Sequence, residues 1–156
     1  MTRDSELQQQ RELVREKIKL SQKERAKNLT FVSQQIDEVV SGFSNNTEIL
    51  ITFEDLRLFD IGERIAVNDS LNFEKIYQDE NKMIFLTHIL DGGSFGLHNH
   101  NCYEITKILK GNLIERNYGM KVYNEGEQVI YCPNENHRPY ATMDSTYEVT
   151  FIKDII

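Results

Sequence analysis

The chain is poor in the residues and motifs that mark several large functional classes. Its 156 residues include two cysteines, two prolines and no tryptophan. Two cysteines do not make a disulfide scaffold, and no apolar h-region stands at the N-terminus. Together these predict a soluble protein of a reducing compartment, the cytoplasm. No apolar run is long enough to span a bilayer, so no membrane partner is expected. No Walker loop, GxGxxG or CxxC pair occurs, which removes the phosphate-loop, dinucleotide and dithiol readings. Internal repeats and low-complexity segments are also absent. So is an excess of positive charge: the net charge is -7, and residues 1–46 hold eight Lys or Arg against seven Asp or Glu, leaving ten against eighteen afterwards. An acidic C-terminal part speaks against nucleic acid, whose phosphates are bound by clustered Lys and Arg.

What is present divides into two parts. From Asp4 to Phe43 there is no proline, the only glycine is Gly42, and Gln, Glu, Lys, Arg and Leu dominate, which predicts helix. Leu29, Val32, Ile36, Val39 and Phe43 follow a 3,4 spacing, a coiled-coil-like seam. Leu7, Val14 and Ile18 repeat it out of phase, with Arg11 and Arg25 at seam positions. One continuous helix would be about 58 Å long, wider than a small barrel, so it must break, project, or pack on a second chain as in a homodimer. Ser41 to Asn46 supplies cap and turn residues, placing a boundary between a helical extension, 1–46, and a second domain, 47–156. Beyond it short runs rich in Ile, Phe, Leu and Tyr recur about every ten residues: Glu48–Phe53, Asn72–Tyr77, Lys82–Leu90, Asn112–Tyr118, Lys121–Tyr123, Gln128–Cys132 and Thr146–Lys153. Many short strands between turn clusters predict an all-β sandwich or barrel.

The stretch Gly92 to Gly111 organises this second part. In an extended strand, residues 98, 100 and 104 share a face, so His98, His100 and Glu104 would converge on one side of a sheet. Two imidazoles and a carboxylate form an open metal site. His137 is a fourth candidate. Cys102 shares the ligands' parity, and His88 has it in its own strand. Arg138, Tyr140, Tyr131 and Tyr147 flank the second cluster or lie in the last strand, where an anionic substrate could be held by a guanidinium fork and hydroxyls. The literal string His98-Asn99-His100 is not a nuclease signature, because that signature needs separated positions in a ββα unit.

Gly92, five residues, His98-Asn99-His100, three residues, Glu104, six residues and Gly111 resemble the first motif of the cupins. Gly126, Pro133 and His137 resemble the second, with Pro133 displaced by one, Asn134 at a glycine place and Ala141 where the family has Asn. A turn that needs positive φ can be served by Asn. The resemblance, over residues 47–156, implies a mainly β, double-stranded β-helix (jelly-roll) barrel preceded by the long helical segment. It also implies that His98, His100, Glu104 and His137 hold one divalent transition metal: Fe, Mn, Zn or Ni. Each imidazole would bind neutral and the carboxylate ionised, so binding should weaken below about pH 6. Two functions follow as expectations. One is a sensing or regulatory module that binds a small polar molecule at the metal and reaches a partner protein through its helix. The other is a metal-dependent enzyme, a non-heme iron dioxygenase acting on a small polar substrate.

Overall fold

A computed structural model describes residues 5–18, 49–117 and 119–154. The seam from Leu29 to Phe43 and the boundary at Ser41 to Asn46 lie outside the described residues. Helix α1 spans 5–18 and helix α2 spans Phe53–Arg57. Eleven strands are formed among the described residues: β1 (Ile49–Leu50), β2 (Arg64–Asn68), β3 (Leu71–Gln78), β4 (Lys82–Ile89), β5 (His98–Asn99), β6 (Tyr103–Lys110), β7 (Asn112–Glu115), β8 (Lys121–Asn124), β9 (Gln128–Tyr131), β10 (Pro139–Tyr140) and β11 (Ser145–Ile152).

One sheet runs β2-β3-β4-β11-β6-β9, with antiparallel pairing throughout. Facing it are the β10-β7-β8 sheet and the short parallel pair β1-β5. Alternation decides what each long strand presents inward. On β4 the buried positions are Met83, Phe85, Thr87 and Ile89, and on β11 they are Ser145, Tyr147, Val149 and Phe151. Phe85 sits at the centre, edge-on to Phe73 at 5.9 Å and to Phe151 at 5.7 Å between centroids.

Three elements escaped the sequence reading, the two-residue β10 among them. Glu48–Phe53 is a strand only at Ile49–Leu50, because Thr52 and Asp55 form a capping box that turns the chain into α2. Strand β2 was missed altogether. Its inward positions, Ile65 and Val67, are too few to announce a period.

Helix α1 lies against the barrel. Val14 and Ile18 are buried in the common core, whereas Leu13 faces solvent. Around this stripe Arg11 reaches Asp60 (2.8 Å), Arg15 pairs with Glu63, and Lys17 pairs with Asp55 (2.9 Å). Arg11, an awkward seam residue for a coiled coil, is suited to this packing: its stem covers the barrel while its head meets an acidic loop.

The end of the barrel near Phe59 holds a buried cation. Lys75 Nζ donates to Phe59 O and Gln78 Oε1, both at 2.6 Å, and stands 5.6 Å from the Phe85 centroid. Burial pushes its pKa down from 10.5 to about 8. Between those values the unfolded chain keeps a proton that the folded chain has released, so stability should rise with pH across that window, by on the order of 2 kcal/mol. Urea unfolding at pH 7.5 and pH 10 should show this contribution as a difference: raising the pH should favour the wild type by that amount relative to Lys75→Met.

Candidate metal centre

Four side chains from three parts of the chain meet inside the barrel. His98 lies on β5 and His137 faces it across an isolated antiparallel bridge, in which each backbone N–H donates to the other's carbonyl (3.0 and 2.9 Å). Neighbouring bonds from Phe95 N to Pro139 O and from Ala141 N to Gly93 O extend this pairing, so the two motifs are laced together backbone to backbone. Glu104 comes from β6, on the opposite sheet. His100 follows β5 and is placed by β1, whose continuation brings Ile51 O to its ring.

The shared-parity argument is corrected here. Residues 98 to 104 are not one strand: β5 stops at Asn99, the chain bends at 101–102, and β6 begins at Tyr103. His98 and Glu104 therefore approach from different strands. The bend also removes Cys102 from the site despite its parity. Its side chain is buried away from the cavity, and burial, with Glu104 and Glu54 adding to it, pushes its thiol up to about 12. Both cysteines are free, Cys102 buried and Cys132 exposed.

The ring orientations are specific. His98 Nδ1 meets Gly96 O at 2.7 Å, His100 Nδ1 meets Ile51 O at 2.7 Å, and His137 Nδ1 meets Glu135 O at 3.1 Å. A carbonyl can only accept, so each Nδ1 carries the proton and each Nε2 presents a lone pair. These lone pairs face inward. His100 Nε2 stands 3.1 Å and His137 Nε2 3.4 Å from Glu104 Oε1, yet both nitrogens are buried without a hydrogen bond of acceptable geometry. Thr106 Oγ1 donates to the other oxygen, Oε2, at 2.8 Å and turns Oε1 toward the histidines. One ligand atom from each of the four residues lies within 4.8 Å of the rest.

Acceptors converging in a buried space need a cation, and the donor set of three imidazole nitrogens and one carboxylate oxygen fits a divalent transition metal. Carbonyl-anchored Nδ1 atoms and the threonine-anchored carboxylate are the outer contacts that such ligands require. The electrostatics agree for His98 and Glu104, whereas Glu104 favours a proton on His137 that a bound cation would displace. Burial pushes the His98 pKa well below its usual value, with repulsion from His137 and His100 adding to it, so that ring stays neutral. Burial alone would raise the Glu104 pKa, but the attraction of His137 and contacts from His100 and His137 outweigh it and hold the carboxyl well below its usual range. For His137, the attraction of Glu104 likewise outweighs burial and raises the pKa.

A cavity of about 60 Å³ opens beside these four residues, walled by β3, β4, β6, β7, β11 and by Ile18 of α1. Of the remaining site candidates, Tyr131, Arg138, Tyr140, His88 and Cys102 fall outside its wall. Tyr131 stacks on His137 at 4.1 Å and donates its hydroxyl to Glu115 (2.7 Å), so it supports a ligand ring from behind. The same Glu115 carboxylate accepts from the backbone N–H of Arg138. Arg138 and Tyr140 belong to this outer layer, where Arg116 lies over the Tyr140 ring at 5.1 Å. His88 is excluded by alternation: on β4 the inward positions are odd-numbered, and His88 points out beside Thr146 (3.3 Å). Conversely, Tyr147 does line the cavity, as do Thr87, Phe95 and Thr106, which the sequence reading did not select. The inward parity of their strands was the available signal.

Asn134 has φ 65°, so it occupies the left-handed turn at the place where the motif has glycine. Gly111, which closes the first motif, also has positive φ, and a Cβ there would lie 2.1 Å from Ser145 Oγ.

No family model matches this chain, and no curated protein does. Solved structures do. It resembles an RmlC-like cupin from Shewanella frigidimarina (TM-score 0.53, 14% identity, 60% of this chain and 86% of that one). It also resembles a cupin superfamily protein from Desulfitobacterium hafniense (TM-score 0.52, 13% identity, 63% and 86%). A third similar structure is a conserved protein of unknown function from Streptococcus pyogenes (TM-score 0.50, 14% identity, 69% and 82%). At these identities the likeness is one of fold: the barrel is a cupin barrel. No helix among the described residues is long and apolar enough to cross a membrane.

Proposed function

We propose that the chain binds one divalent transition metal through His98, His100, Glu104 and His137, takes a small molecule at the remaining coordination positions, and serves as a sensing or regulatory module. The observation that carries the regulatory part is Ile18, which belongs to both the N-terminal helix and the cavity wall. Whatever fills the cavity presses on α1, and α1 leads into the seam-bearing segment proposed to contact a second copy or a partner protein. The ion pairs of Arg11, Arg15 and Lys17 hold the helix in place at modest strength, since partly exposed pairs contribute about 0–1 kcal/mol each. A helix held this way can shift when its apolar anchor is disturbed.

A bound ion would polarise an oxygen of the small molecule or lower the pKa of coordinated water. The four residues fix the ion's place, and Thr106 and the three backbone carbonyls fix theirs. Backbone hydrogen exchange of residues 5–18, with and without one equivalent of Co(II), tests the coupling. Metal is expected to change protection of the helix severalfold in the wild type. In Ile18→Ala, which keeps all four ligands, it should do so much less. Unchanged exchange in a metal-loaded wild type would remove the regulatory reading.

The same open positions beside a largely apolar cavity favour a second reading, a metal-dependent oxygenase. Protein loaded with Fe(II) should then consume oxygen when a cavity-sized substrate is added, whereas a sensor returns its ligand unchanged.

A further inference from the structure

The wall of the cavity restricts what the centre can hold. Apolar side chains supply most of it, among them Phe73, Phe85, Phe95, Leu113, Val149 and Phe151. Its hydroxyls are largely committed elsewhere: Thr106 donates to Glu104 (2.8 Å) and Tyr147 donates to Asn112 O (2.6 Å). Among the described residues, no Asp, Glu, Lys, Arg or His lines it apart from Glu104 and the three histidines. A ligand with several hydroxyls or an ammonium group would leave them without partners in this space, each at a cost of tenfold or more in affinity.

Charge points the same way. With neutral imidazoles, a divalent ion and the Glu104 carboxylate leave one positive charge in a poorly polarisable surrounding, and no other side chain of the wall offsets it. A single negative charge brought by the ligand offsets it well, because the interaction is little screened there. Size closes the argument. At roughly 10–15 Å³ for each water-sized atom, a cavity of about 60 Å³ admits about four to six non-hydrogen atoms.

Resting on the metal reading above, we propose that this site takes small monocarboxylates: the carboxylate on the metal, and an unfunctionalised hydrocarbon tail of up to about three carbons against the phenylalanines. The polarity expected of the ligand from sequence is then confined to its head.

Co(II)-loaded full-length protein, whose visible absorption reports changes at the metal, is titrated with acetate, propionate, butyrate, 3-hydroxypropionate and butyramide. Each added methylene should tighten binding about fourfold. 3-Hydroxypropionate has the same number of non-hydrogen atoms as butyrate but carries a terminal hydroxyl, and it should bind at least tenfold more weakly. Butyramide, lacking the charge, should leave the spectrum unchanged. Leu113→Ala enlarges the cavity without touching the four ligands and should move the preferred acid to a longer chain. The wild-type series decides the question even if that variant does not fold. Bound cobalt with equal affinities along the series, or with 3-hydroxypropionate preferred, overturns this proposal and leaves the metal reading standing. Failure to take up cobalt overturns the metal reading first, and this one with it.

Discussion

His100→Ala protein is expected to retain its fold and lose its metal. Wild-type protein purified without added metal should carry close to one equivalent of a divalent transition ion by elemental analysis, and the variant close to none. In titration the affinity should fall by at least about 100-fold, the upper end of what removing a mere supporting contact costs. The effect is large because His100 contributes one of only four donors, and its anchor, the 2.7 Å bond to Ile51 O, shows that the ring is oriented rather than filling space. Near-ultraviolet circular dichroism distinguishes loss of the ligand from loss of the barrel. Equal metal content in the two proteins would sink the four-residue site. Thr106→Val keeps all four ligands but frees Glu104 Oε2, and should weaken binding by the smaller, roughly 10-fold factor typical of an outer contact.

The second large effect is on stability. Phe85→Ala should destabilise the protein by about 3–5 kcal/mol in urea unfolding, shifting the midpoint with little change in slope. Phe85 is 2% exposed and contacts Phe73, Phe151 and the Lys75 ammonium. Because a cavity already adjoins the ring, the space left by truncation merges with it rather than collapsing. Ile130→Ala, at a position 52% exposed, is the control and should change stability by less than about 0.5 kcal/mol. A total stability of about 5–15 kcal/mol makes the Phe85 effect a large share of the whole. A loss under 1 kcal/mol would mean that the aromatic cluster is not the centre of the core.

The candidate site was readable in the chain to an unusual degree, but partly through the wrong geometry. His98, His100, Glu104 and His137 come together, and Asn134 adopts the left-handed turn predicted for it. Yet the shared face of one strand does not bring them together, since the bend at 101–102 breaks that strand. Parity is a property of continuous strand, and a motif of seven residues is long enough to turn a corner. The same limit explains His88 and Cys102: period-2 counting gives the relative faces within a strand but not which face is inside, and it lapses across a bend. Tyr131 was singled out for its hydroxyl, whereas it is the ring that stacks on His137. The turn between the two residues decides which rings meet, and its path is not written in the period-2 pattern of the strand before it.

The amino-acid sequence by itself determined the class of fold, the ligand types and the turns between strands, because strand alternation, the metal preferences of imidazole and carboxylate, and backbone sterics act over a few residues. Only the tertiary structure decided which ring nitrogens face one another, that Ile18 lines the cavity, and that the wall beside the four ligands is largely hydrocarbon. Those features depend on which strands become neighbours, and that choice is made by burying the whole apolar surface at once rather than by any stretch of the chain alone.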